Sequence, residues 1–290
     1  MIYHFQGDTF SAAVSSVGAE LISYQWKGRP LLWEGNPDYW PGHASLLFPI
    51  VGELANGEVL FDGHPYSMPR HGIVRKREWL LVEQSDRHIT LELCASEDTL
   101  QHYPYDFKLR CTHTFGQNGF ETRVQVFNHG QRPMPFCLGG HPGFQCPMAE
   151  GEAFEDYDII FDHKETLTTP RLKNGVICPA MTEEVLREEQ VLPLTYRLFD
   201  KDALILTTLT SRALTLQNRI TGKGLRFCFD GFPALGIWSP PGLNAPFVCL
   251  EPWQGHAAVE GESGRFEDKP FALTLLPGTS HTAAYQVTLL

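Results

Sequence analysis

Phe107-Lys108-Leu109-Arg110-Cys111-Thr112-His113-Thr114-Phe115 alternates apolar and polar side chains, runs into Gly116-Gln117-Asn118-Gly119, and resumes as Phe120-Glu121-Thr122-Arg123-Val124-Gln125-Val126-Phe127. Period-2 alternation on both sides of an Asn-Gly pair predicts a long β-hairpin with one buried face. The same alternation runs through His88-Ile89-Thr90-Leu91-Glu92-Leu93-Cys94. A second hairpin is predicted where Glu58-Val59-Leu60-Phe61 meets Asp62-Gly63 and His64-Pro65-Tyr66-Ser67-Met68. The tail adds Phe271 to Leu275, a Pro277-Gly278 turn and a closing strand from His281 to Leu290. Helical signals are sparse. Met181 to Glu189, with Thr182 ahead of acidic residues, predicts one short helix, and Glu97 to Tyr103 a single helical turn. The 26 glycines and 21 prolines among 290 residues set many turns and few long helices. No linker, charge block or fixed-period repeat divides the chain. The expectation is one all-β domain over residues 1–290, a large antiparallel β-sandwich of roughly twenty strands with few short helices.

Charge narrows the partners. A net charge of −11 and a pI near 5.5 exclude nucleic acid and anionic membrane surfaces as natural ligands. Arg75-Lys76-Arg77 is too short to act as an electrostatic footprint. The N-terminal residues lack the basic and apolar segments of a signal peptide, and no apolar run is long enough to span a bilayer. The seven cysteines at 94, 111, 137, 146, 178, 228 and 249 are widely spaced, with no CxxC pair. That pattern predicts buried free thiols in a reducing cytoplasm rather than disulfides or a zinc site.

Four segments depart from simple strand patterning. Gly139-Gly140-His141-Pro142-Gly143-Phe144 presents an imidazole from a backbone crowded with Gly and Pro, which reads as an irregular segment or a turn. In Phe247-Val248-Cys249-Leu250-Glu251-Pro252-Trp253-Gln254-Gly255 a carboxylate ends an apolar run beside an indole, where desolvation should raise its pKa toward that of a useful general base. Pro69-Arg70-His71-Gly72-Ile73-Val74-Arg75 places a second histidine in an irregular loop, with a cation four residues on. Leu46-Leu47-Phe48-Pro49-Ile50-Val51-Gly52-Glu53 is an apolar run closed by Gly and a carboxylate.

Taken in order along the chain, these segments and Phe199-Asp200-Lys201-Asp202-Ala203-Leu204 resemble the aldose 1-epimerase (galactose mutarotase-like) family. The specific motifs are GGHPGF and LEPW. The resemblance implies a galactose mutarotase-like supersandwich with an open carbohydrate cleft, and a cofactor-free interconversion of the α and β anomers of an aldose. It also implies roles. His141 matches the general acid that protonates the ring oxygen, and Glu251 the general base that takes the anomeric hydroxyl proton. His71 matches the second histidine, which hydrogen-bonds the sugar near C1. Asp202 and Arg75 fall at substrate-binding positions. Many relatives carry an arginine directly after the Gly of the first motif; here that position is Glu53, which bears on the preferred sugar.

The chemistry suits those residue types. Mutarotation opens a hemiacetal and recloses it on the other face, so one proton must leave the C1 hydroxyl while another reaches the ring oxygen. A carboxylate and an imidazole of matched proton affinity suffice, without metal or nucleotide. Trp253 and Trp238 offer apolar faces to sugar C–H groups, though core packing is the other role open to Trp238. Two alternatives stand beside an aldohexose such as galactose or glucose. A hexose-6-phosphate 1-epimerase, or an enzyme for sulfonated sugars, would draw on Arg70, Arg75, Lys76 and Arg77. A non-catalytic carbohydrate-binding protein would not need both His141 and Glu251. The molecule is expected to act in the cytoplasm as a monomer or homodimer.

Overall fold

The hairpin around Gly116–Gly119 lies within the largest sheet. In a computed structural model describing residues 1–290, Phe107–Gly116 pairs with Gly119–Asn128 in unbroken antiparallel register from Phe107 opposite Asn128 to Gly116 opposite Gly119. The turn is therefore Gln117–Asn118, one residue earlier than the Asn-Gly pair suggests. Gly119 is needed in the strand itself, because a Cβ there would lie 1.9 Å from the Val287 carbonyl oxygen of the neighbouring strand.

That sheet has nine strands, and its far edge is the long hairpin of Tyr157–Lys173 and Val176–Pro193. Met181 to Glu189, expected to be helical, lies within Val176–Pro193 and is β-structured. An isolated helix of this length is marginal. As a strand the segment instead gains a ladder to its neighbour and ion pairs from Glu183 to Arg171 and Lys201. The one α-helix is Glu97–Leu100, capped by Ser96 and Thr99 and followed by a turn, as its sequence predicts. The Glu58–Phe61 and His64–Ser67 hairpin and the Ser280–Leu289 closing strand also form where expected.

A five-stranded antiparallel sheet faces the large one, in the order Leu204–Leu206, Ala234–Trp238, Phe247–Gln254, Leu138–Gln145, Ala44–Leu47. Alternation along its strands sends successive side chains to opposite faces. On the inner face Phe144 meets Phe227 with ring centroids 5.9 Å apart, and Gly140 lies beneath Tyr285, whose ring leaves no room for a Cβ. One buried core of 71 residues includes side chains from both sheets, among them Phe144, Phe227 and Tyr285. A separate small cluster of Trp33, Ala245, Phe247 and Cys249, with Trp40 and Trp238 packed against it, covers the outer face of the five-stranded sheet. This is the antiparallel β-sandwich that the alternation predicts. Five cysteines are buried and free, whereas Cys94 is exposed and Cys228 half-buried. No helix is long and apolar enough to cross a membrane.

Candidate active site

The segments carrying His141 and Glu251 are both regular strands. Gly139–Phe144 lies in Leu138–Gln145 and Leu250–Trp253 in Phe247–Gln254, and the two strands are neighbours. Gly139 pairs with Trp253 and Gly143 with Cys249, so the same register sets His141 directly opposite Glu251. Pro142 and Pro252, which have no N–H to give the ladder, flank that position on the two strands. His141 Nε2 stands 3.3 Å from Glu251 Oε2, which has no hydrogen-bond partner. The glycines of the motif serve close approach rather than a turn. A Cβ at Gly139 would lie 2.9 Å from Trp253 Cδ1, and one at Gly143 would crowd Trp33, Trp40 and Cys249 at 3.2–3.4 Å.

Aromatic rings fix the imidazole. His141 stacks on Trp40 at 4.7 Å between centroids and meets Trp238 edge-on at 5.7 Å and His71 edge-on at 5.4 Å. Trp238 thus belongs to the site as well as to the packing around it. His71 comes from its loop with φ of 68°, and Gly52 N–H donates to its Nδ1 at 3.1 Å. With Nδ1 accepting, the neutral ring carries its proton on Nε2. Gly72 must remain glycine, with φ of 81° and the Phe48 carbonyl 2.1 Å from any Cβ.

These groups line a cavity of about 290 Å³ on the outer face, together with Arg75, Asp202 and Trp253. All six residues singled out in the sequence therefore meet in one place. The volume lies near the lower end of small-ligand sites, which run from about 300 to 1,000 Å³. A larger groove of about 490 Å³ lies alongside, behind Glu53, lined by Lys173, Asn174 and Glu260. Its titratable lining is Glu53, Lys173 and Cys178, whose thiol donates to Glu260 at 3.1 Å, and it holds no histidine.

Burial separates the titration of Glu251 and His141 from that of their free counterparts. Burial, reinforced by Asp202, holds the Glu251 carboxyl well above the usual carboxylate range. Burial also pushes the His141 imidazole down to about 3, with Arg75 acting in the same sense. His71 is driven well below its ordinary value by burial, then by His141 and Arg75. Desolvation thus favours a neutral pair that holds a single proton between His141 and Glu251.

The cations are less available than their spacing suggests. Arg70 Nε donates to Glu53 Oε2 at 2.6 Å at the cavity rim, and Arg77 pairs with Asp98. Arg75 lines the cavity and donates through Nη2 to the Arg70 carbonyl at 2.8 Å. Trp40, in Asp38-Tyr39-Trp40-Pro41-Gly42, went unread in the sequence. Its aromatic-Pro-Gly context was the available signal. Gly236 was also missed; it lies opposite Glu251 and beneath the Trp253 indole, which fills the place of a side chain.

Comparison with known proteins agrees with this fold. Over 301 aligned residues the chain is 35% identical to protein LacX of Lactococcus lactis subsp. lactis, with all of both chains covered. Its structure superposes with a TM-score of 0.94 on a galactose mutarotase related enzyme from Lactobacillus acidophilus, at 29% identity and covering 100% of this chain and 97% of that one. A galactose mutarotase-like protein from Lactobacillus casei ATCC 334 gives 0.91 at 27% identity with both chains fully covered. The family model described as aldose 1-epimerase matches residues 1–273, a span that holds every side chain of the cavity, and the chain belongs to that family.

Proposed function

We propose that the protein is an aldose 1-epimerase that interconverts the α and β anomers of an unphosphorylated aldohexose such as galactose or glucose. The observation that carries this reading is the 3.3 Å separation of His141 Nε2 and Glu251 Oε2 at the edge of one sugar-sized cavity. The two oxygens that exchange protons in mutarotation are bonded to the same carbon, so their acid and base must be neighbours. Glu251 as carboxylate takes the O1 proton while His141 as imidazolium protonates the ring oxygen. The C1–O5 bond then breaks and the C1 aldehyde forms. The pair is left neutral, the state that burial favours. Rotation about C1–C2 and closure return both protons. His71 Nε2–H and Arg75 are donors for sugar oxygens beside the reacting centre, and Trp40, Trp238 and Trp253 exclude water around it.

The rim argues for a neutral sugar. A phosphate needs a group of free cations, and Arg70 and Arg77 are already neutralised by Glu53 and Asp98. Polarimetry on freshly dissolved α-D-galactose and α-D-glucose tests the proposal. The rotation should relax faster than in buffer, and His141→Ala or Glu251→Gln should each lower the catalysed rate by about 10²–10⁴-fold in a folded protein. Sugar binding without acceleration would instead mark a non-catalytic carbohydrate-binding protein, and relaxation of glucose 6-phosphate alone a hexose-6-phosphate epimerase.

A further inference from the structure

Cys249 has no part in proton transfer, yet its thiol is buried against the reactive pair. It precedes Glu251 by two residues, so both side chains leave the same face of the strand. Its cross-strand partner is Gly143, which has no side chain to separate the thiol from His141. One donor atom from each of His141, Cys249 and Glu251 lies within 4.8 Å of the others, and all three residues are more than nine-tenths buried.

We propose that His141, Cys249 and Glu251 form a three-ligand site for a borderline divalent cation such as Zn²⁺, and that its occupancy silences the acid–base pair. Zinc binds imidazole nitrogen and carboxylate oxygen at about 2.0–2.2 Å and thiolate sulfur at about 2.3 Å, usually tetrahedrally. Nitrogen and oxygen donors in that geometry stand roughly 3.3–3.5 Å apart. His141 Nε2 and Glu251 Oε2 are separated by 3.3 Å, and Glu251 Oε2 has no competing hydrogen bond. Two side chains of the set border the cavity while Cys249 lies beneath, so the fourth position opens toward the sugar site. That layout, three protein ligands and one open position, is the one zinc takes in sites that admit a small molecule. Here the ion takes the lone pairs on which mutarotation depends, so it excludes catalysis. On binding, the thiol proton and the one proton held by the His141–Glu251 pair both pass to solvent.

The inhibitory consequence rests on the epimerase reading, but the metal site does not, and the two are measured separately. The full chain, stripped with EDTA, is titrated with Co²⁺ as a spectroscopic probe. The proposal expects one ion per chain with a near-ultraviolet thiolate-to-cobalt band, displaced by Zn²⁺ and absent in Cys249→Ser. Zn²⁺ affinity in that variant should fall at least by the roughly 10–100-fold that loss of a supporting residue costs a metal site. Zn²⁺ should slow anomer exchange in the wild type, and the fractional loss should be much smaller in Cys249→Ser, each judged against its own metal-free rate. Absence of the thiolate band in wild-type protein, which requires no variant to fold, overturns the site. Equal Zn²⁺ affinity in wild type and Cys249→Ser overturns it as well. The band in a protein that catalyses no anomer exchange upholds the metal site and removes the epimerase reading.

Discussion

His141 and Glu251 occupy opposite positions on two adjacent antiparallel strands, with Nε2 and Oε2 3.3 Å apart and a proline next to each residue in sequence. Cross-strand neighbours have Cβ atoms about 4.5–5.5 Å apart, which sheet geometry fixes without help from loops. The 3.3 Å separation is thus a property of the sheet register, and the surrounding loops supply His71, Arg75 and Trp40 to the same cavity.

The shared proton predicts an unusual pH profile. His141 accepts a second proton only near about 3, because burial opposes its charge. The catalysed kcat/KM, after subtraction of the buffer rate, should hold level from pH 7 down to about 4. Halving near the ordinary imidazole value of about 6.5 would contradict the buried, one-proton pair.

Glu251 should limit stability at neutral pH. Its folded pKa is raised by burial, so the stability it contributes is present below its unfolded pKa and is lost as pH rises toward the folded value. Glu251→Gln removes that loss. Thermal melting should show the variant more stable at pH 7 by about 0.5–2 kcal/mol, the usual gain from relaxing a strained functional site, and equal to wild type at pH 4. A variant less stable at pH 7 would reverse the assigned sign.

Gly236→Ala tests the platform under Trp253. The new Cβ would come within 2.3 Å of Trp253 Cζ2, so the indole must move. Overpacking of this kind costs about 1–3 kcal/mol. Denaturant unfolding should register that loss, and catalysis should fall with it because Trp253 and Glu251 share a strand. Wild-type stability and rate would show that the indole has room to spare.

Glu53→Gln tests the rim. It frees the Arg70 guanidinium, which now pairs with Glu53 at 2.6 Å. Glucose 6-phosphate should then compete up to about fivefold better against a neutral sugar, the scale of about 1 kcal/mol set by an exposed ion pair, and the gain should shrink in high salt. No change would mean that this pair does not govern charge at the cavity.

Much of this was legible in the sequence, for identifiable reasons. Period-2 alternation located the Phe107–Gly116 and Gly119–Asn128 hairpin because one of its faces is buried and the other is more polar. The His141 and Glu251 segments were found by their unusual composition, but were not recognised as paired strands. Gly139–Phe144 and Leu250–Trp253 are buried throughout, so alternation disappears, and Gly and Pro mimic a turn. Met181–Glu189 failed for a related reason, since its acidic residues gain partners such as Arg171 and Lys201 that only the tertiary fold brings near. The proximity of Cys249 to His141 depends on strand register, which cysteine spacing does not contain.

The most direct test of the central claim is a double-mutant cycle on anomer exchange, followed at equilibrium by magnetisation transfer between the two C1 protons of the sugar. Two residues that hand one proton back and forth act as a unit, so their losses do not add. The account predicts that His141→Ala/Glu251→Gln is no slower than the worse single variant. Losses that multiply across the cycle, or wild-type exchange no faster than buffer, would contradict it.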